Sequence, residues 1–255
     1  MTKIIPIKEL KIKETAAREL PKDIEERVQV YWNELTAKYP GMFNGALYSV
    51  INMENDDGIV TITCEPSDYA HYKYSEIKDL GEYACRSMYA GCILVSSDKK
   101  LFVSLNGVGS EFVGKIQGIG GVMDPSDRFI GGAIHEDGST DNNKLSPLVT
   151  AFRELGEEVG KEIRDSVTDI GKSYLVTNDN KYGFPFVFYS NLDSKTIQHA
   201  FDSFKKETGS NEVDRLISFG KDDMAELEKY ESGQDIGVVD LLKIIMGEWT
   251  TNPVP

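Results

Sequence analysis

Residues 146–160, Ser-Pro-Leu-Val-Thr-Ala-Phe-Arg-Glu-Leu-Gly-Glu-Glu-Val-Gly, constrain this chain more than any other stretch. Ser146 offers an N-cap, and Pro147 takes the first helical position, where its missing N–H is no loss. Gly160 is placed to end the helix in the left-handed conformation. Around a helix turning about 100° per residue, Glu154, Glu157 and Glu158 share roughly a third of the circumference. Three like charges on one face repel, so intrinsic helix stability does not favour the arrangement. Solvation offsets that repulsion in an ordinary acidic face, and a divalent cation does so in a metal site. Hard Mg²⁺ prefers carboxylate oxygens and completes its octahedron with waters and phosphate oxygens. The spacing alone leaves both readings open.

The flanking sequence predicts a mixed sheet with helices packed on it. Ile24, Val28, Tyr31, Trp32, Leu35 and Tyr39 form a helical stripe over 22–39, ended by Pro40-Gly41. Strand-like runs follow at 46–53 and 58–64, joined by Asn55-Asp56-Asp57-Gly58. The segment Asp68 to Tyr74 mixes polar and aromatic residues; Tyr69, Tyr72 and Tyr74 read as edge aromatics of a half-buried strand or as a stacking wall for a ligand. A second hairpin covers 88–96 and 101–105, and the glycine-rich stretch from Asn106 to Gly132 reads as loop with short strands. Further strands are expected at 173–177, 184–192 and 212–219, with helices near 194–206, 222–230 and 237–246. Trp32 reads as core. His71, His135 and His199 have no mutual spacing that suggests a ligand set.

Composition narrows the function classes. The chain of 255 residues carries 28 Lys+Arg against 42 Asp+Glu, a formal charge of −14. An acidic surface argues against coating nucleic acid, which needs phosphate neutralisation, and against a polybasic hold on a membrane. Three cysteines (Cys64, Cys85, Cys92) show no ligand spacing and read as buried reduced thiols, which with the absence of an apolar leader predicts the cytoplasm. No stretch approaches the ~18 apolar residues of a membrane span.

The carboxylate helix resembles the signature of the Nudix hydrolases, in which Gly, five residues, Glu and seven residues precede Arg-Glu-hydrophobic-x-Glu-Glu-x-Gly-hydrophobic. Arg153, Glu154, Leu155, Glu157, Glu158 and Gly160 stand in register, with Lys161 in place of the last hydrophobic residue. Gly120-Gly121 resembles the glycine pair that opens the motif. After five intervening residues beyond Gly121 stands Asp127 where the family has Glu, and 25 residues rather than seven separate it from Arg153. An alternative start at Gly131 reaches Asp137. The resemblance implies a Nudix-type α/β/α sandwich with a mixed sheet over 86–255, preceded by a smaller N-terminal α+β module over 1–85. It implies that Glu154, Glu157 and Glu158 bind Mg²⁺ or Mn²⁺, that Arg153 orients them, and that Gly120 and Gly121 contribute to the binding loop. Glu212 resembles the later acidic residue that serves as metal ligand or general base, with Asp214 its rival by strand alternation. The implied activity is hydrolysis of a diphosphate in a nucleoside diphosphate linked to another group, of the UDP-glucose or ADP-ribose type. The layout loosely resembles the UDP-sugar-hydrolysing branch. A catalytically weak nucleotide-binding or regulatory protein is the alternative, and either admits a homodimer. A negative field repels a free diphosphate, so substrate binding is expected to depend on metal.

Overall fold

The computed structural model describes residues 2–108, 112–129, 143–178, 180–232 and 237–251, the last with side chains to 248. The chain opens with two short strands, β1 (Lys3–Ile7) and β2 (Glu9–Glu14), and then helix α1 (Lys22–Lys38), whose stripe buries Ile24, Val28 and Trp32. Strands β3 (Ala46–Asp56) and β4 (Ile59–Asp68) form a hairpin. At its tip Asp57 and Gly58 both have positive φ, 47° and 88°, the two left-handed residues a tight hairpin turn requires. Helix α2 (Tyr69–Ile77) follows directly, and a 3₁₀ turn over Gly81–Tyr83 leads into β5 (Ser87–Val95). Next come β6 (Leu101–Asn106), β7 (Ile116–Gln117), β8 (Ile119–Val122), α3 (Pro147–Val159) and α4 (Lys161–Asp165). The chain continues through β9 (Val167–Thr177), β10 (Lys181–Ser190), α5 (Ser194–Thr208), β11 (Val213–Phe219), α6 (Met224–Leu227) and α7 (Val238–Thr251).

Strand β5 organises the sheet because both of its faces are covered. All nine of its residues are buried, matching a near-continuous apolar sequence. Cys92 and Leu94 face one layer, with Leu155 and Val159 of α3 and Ile197 and Phe201 of α5. Ile93 and Val95 face the other, with Leu241, Leu242 and Ile245 of α7. Helices thus lie on both faces of a mixed sheet, as the sequence predicts. β10 runs parallel to β5 along its whole length, from Lys181↔Ser87 to Tyr189↔Val95. The opposite edge of β5 is shared by three strands in turn: β3 at Ser87, β8 at Tyr89–Cys92 and β6 at Leu94–Val95. That shared edge brings β8 and its glycines beneath α3. Strands from both sides of residue 85 join one sheet, since β1 pairs with β9 and β3 with β5.

Three local features differ from the sequence expectations. Residues 3–14 form strands whose partners, β9 and β4, are supplied by distant segments. Residues 69–74 are helical, because Asp68 caps the helix by accepting from the His71 N–H at 2.9 Å. Tyr72 and Tyr74 are therefore buried core residues, and Tyr69 stacks edge-on to Trp32 at 6.1 Å. Gly160 has φ 106° and ψ 152°, outside the left-handed helical region, because it bridges directly into α4. A Cβ there would stand 3.1 Å from Phe204. The three cysteines are buried and not joined in disulfides, and among the described residues no helix is long and apolar enough to cross a membrane.

Replacing the α2 cap, Asp68→Ala, is expected to cost about 1 kcal/mol. In a chain of this size that lowers Tm by about 2–4 °C. Calorimetry checks it, and an unchanged Tm would mean that the cap contributes nothing.

Candidate functional site

The site is built where α3 crosses β8. Two glycines permit the crossing. A Cβ on Gly120 would stand 2.4 Å from the Ala90 carbonyl oxygen, and one on Gly91 would stand 2.5 Å from that of Ile119. Only a strand pair lacking both side chains approaches so closely. Gly121 makes room for the helix itself, since a Cβ there would lie 2.3 Å from Glu154 Oε1. Gly120 also contributes its backbone N–H, which donates to Glu158 Oε2 at 3.1 Å.

Arg153 holds the rest together. Its Nε donates to Asp127 Oδ1 at 2.7 Å and its Nη2 to Asp127 Oδ2 at 2.9 Å, a two-pronged pairing of planar guanidinium and carboxylate. Its Nη1 donates to Glu154 Oε1 at 2.8 Å and to Glu157 Oε2 at 2.9 Å. Asp127 is 1% exposed and accepts further hydrogen bonds from the Thr150 hydroxyl and the Asp124 N–H, each at 2.9 Å. Burial opposes its charge, while the Arg153 fork and these donors hold its carboxyl below the usual range. The same carboxylates raise the Arg153 pKa far above its ordinary value.

Glu154 sits differently. Burial disfavours its charge, Glu157 and Glu212 add repulsion, and Arg153 offsets only part, so its pKa is pushed up to about 7. Glu157, with 61% of its side chain exposed, faces solvent, while Glu158 is buried against β8. Glu212 lies just before β11, its carbonyl accepting from Gly107 N–H at 2.7 Å, and its charge reaches Glu154 from a separate element. Asp214 is exposed, and the register shift between Val213 and Arg215 breaks the alternation that would align it with Glu212.

The sequence expectations distribute accordingly. Arg153, Glu154, Glu157, Glu158, Gly120 and Gly121 come together, and the Glu212 charge acts on Glu154 from outside the helix. Asp127, separated from Gly121 by five residues, pairs with Arg153 despite the 25 residues between them. Gly131, His135 and Asp137 lie outside the described residues. His71 is buried in the α1–α2 region, its ring bonded to Ser67 and the Tyr83 carbonyl, and His199 is exposed on α5. The sequence reading missed Gly91 and Thr150. A lone glycine in the apolar β5 run is a recognisable signal of close backbone approach, whereas nothing marks Thr150 before the helix is placed. Among the described residues, no three acidic, His or Cys side chains already converge in ligating positions. Arg153 and the Gly120 N–H occupy the carboxylates instead.

No protein-family model matches the chain, and no curated protein matches its sequence. Solved structures similar to it include the Nudix hydrolase RenU from M. smegmatis, at 12% identity over 67% of this chain and 89% of that one, with a TM-score of 0.37. A MutT protein from Methanosarcina mazei Go1 is 12% identical over 65% of this chain and 96% of that one, with a TM-score of 0.36. The Bacillus subtilis pyrophosphohydrolase BsRppH is 12% identical over 65% and 82% respectively, with a TM-score of 0.34.

The raised Glu154 pKa sets a pH dependence of stability. A folded carboxyl that titrates near 7 against an unfolded value near 4.5 holds its proton more tightly when folded. Its ionisation therefore removes stability as pH rises from about 4.5 through 7. In chelator-treated protein, Glu154→Gln is expected to raise Tm at pH 8.5 and leave it unchanged at pH 4. Parallel melting curves across that range test the sign; a variant less stable at pH 8.5 would contradict it.

Proposed function

We propose that this chain is a Nudix-type hydrolase dependent on Mg²⁺ or Mn²⁺. Its substrate in this reading is a nucleoside diphosphate linked to another group, of the nucleotide-sugar or ADP-ribose type, cleaved at the diphosphate. The observation that carries the reading is the placement of Glu154, Glu157 and Glu158 over Gly120-Gly121, with Arg153 bridging two of them.

The residues fit a divalent cation by chemistry. All are hard oxygen donors, and the Glu154 carboxyl is disfavoured as an anion by burial and by its neighbours' charges. A cation of charge two relieves that cost and would be held by Glu154, Glu157 and Glu158. When bound, it supplies charge neutralisation for the diphosphate and for the leaving phosphate. Arg153 keeps Glu154 and Glu157 pointed to the same side of α3, so they need little reorganisation. Glu212 is placed in this reading to accept a proton from the attacking water. The water oxygen bonds to one phosphorus as the bridging P–O bond breaks. The products are two phosphomonoesters, one on the nucleoside and one on the linked group. A cytoplasmic location and a homodimer remain part of the same reading.

A second reading, a nucleotide-binding protein without turnover, is favoured by the hold of Arg153 and Gly120 on the carboxylates. Incubation with UDP-glucose and ADP-ribose, with and without Mg²⁺, separates the two. Metal-dependent release of monophosphates is expected, and tight nucleotide binding without release would select the second reading. Glu157→Gln should reduce turnover on the order of 100-fold. Its stability should barely change, since Glu157 is largely exposed. Turnover retained in this variant would remove Glu157 from the site.

A further inference from the structure

The turn from Asp124 to Arg128 is gripped from two sides by adjacent side chains. Asp127 points to α3 and takes the Arg153 fork. Arg128, the next residue, reaches the opposite way to the end of β2. There its Nη1 donates to Glu14 Oε1 at 2.9 Å and its Nη2 to Glu14 Oε2 at 2.6 Å. The buried Tyr48 of β3 completes the group: its hydroxyl donates to Glu14 Oε2 at 2.6 Å and accepts from Arg128 Nη2 at 2.7 Å. Arg128 also donates from Nη1 to the Asn143 carbonyl at 2.8 Å and from Nε to that of Pro125 at 2.9 Å.

The turn between the two forks is stiff. Asp127 N–H donates to the Asp124 carbonyl at 2.9 Å, Asp124 N–H to Asp127 Oδ2 at 2.9 Å, and Ser126 N–H to Asp124 Oδ1 at 2.7 Å. Arg128 forms a β-bridge with Leu145, and Ser146 N–H donates to the Asp127 carbonyl at 2.9 Å. Residues 128 and 145 thus close the neck of the segment that separates Gly121 from α3. Arg128 N–H also donates to the Ser126 carbonyl at 2.7 Å, so Arg128 and Asp127 share one hydrogen-bonded turn, and Asp127 in turn holds Arg153. Arg153 in turn sets Glu154 and Glu157.

We propose that Glu14 and Arg128 are positioning residues for the carboxylate site, so that β2 of the N-terminal segment, with Glu14 114 residues from Arg128 along the chain, completes the site's support. Their role in catalysis rests on the metal-hydrolase reading above; their role in fixing Arg153 does not. The Glu14 carboxyl is held below its usual range chiefly by the Arg128 hydrogen bond, consistent with an ion pair intact at neutral pH. Removing a residue that hydrogen-bonds a metal ligand directly, as Arg153 does Glu154 and Glu157, commonly changes metal affinity by about 10–100-fold. Glu14 and Arg128, which act through Asp127 and Arg153, belong at the low end of that range.

The test uses the full chain with Glu14→Ala, Arg128→Ala, the milder Glu14→Gln and Arg128→Lys, and Glu9→Ala as a control on the same strand. Three quantities are measured: Tm, Mn²⁺ affinity by calorimetric titration, and the ¹H–¹⁵N resonance of the Arg153 Nε–H. Removal of either partner is expected to shift or broaden the Arg153 resonance and to weaken Mn²⁺ binding about tenfold. The milder variants should fall between, and Glu9→Ala should match the parent chain. An Arg153 resonance and Mn²⁺ affinity that stay fixed while Tm drops would overturn the proposal and leave the pair a stability strut. If the parent chain binds no Mn²⁺, the metal-site reading fails, and the Arg153 resonance alone decides the positioning role. Should Arg128→Ala not fold, Glu14→Gln carries the same measurement.

Discussion

Everything at the site depends on one guanidinium. Arg153 is planar, permanently charged and able to bond in several directions at once, and it is placed among Asp127, Glu154 and Glu157. Without that cation the repulsion among the carboxylates on α3 would add to the burial of Glu154 and to the nearby charge of Glu212. With it, two glutamates are held on one side of the helix and Asp127 is locked beneath it. A lysine would supply the charge without the fork.

The backbone geometry follows from the same requirement. α3 must lie close enough to β8 for Glu158 to reach the Gly120 N–H, and Gly121 lets Glu154 sit against the strand. β8 must in turn lie close to β5, which Gly91 and Gly120 allow by facing each other across the pair. A methyl group at any of these positions would enter occupied space. The sheet serves the site by dividing one edge of β5 among β3, β8 and β6, so that a four-residue strand is held centrally under the helix. The apolar layers on either side of β5 fix that arrangement from both faces.

The N-terminal segment is tied to this centre more closely than a sequence division at residue 85 suggests. β1 adds to the β9 edge, β2 to the β4 edge, and Glu14 at the end of β2 meets Arg128 beside Asp127. The acidity of the chain is thus not uniform in use. Exposed pairs such as Lys8–Asp57 contribute little. Asp127 and Glu14 are directed by arginine forks to positions that shape the site.

The sequence by itself determined the α/β class, the α3 helix and the register of Arg153, Glu154, Glu157 and Glu158. These are local properties, set by side-chain periodicity, proline placement and glycine punctuation. It also marked Gly120-Gly121 and the tight turn at Asp57-Gly58, because only glycine-rich sequence satisfies such backbone demands. Tertiary structure alone decided that β1 and β2 are strands, since their partners lie far along the chain and their own pattern is short. It decided that residues 69–77 are helical, where a cap at Asp68 and packing against Trp32 outweigh the strand preference of three tyrosines. It decided too that Asp127, separated from Arg153 by 25 residues, is the carboxylate that the guanidinium grips. A contact across that separation depends on where the sheet brings the two segments, and no local pattern encodes it.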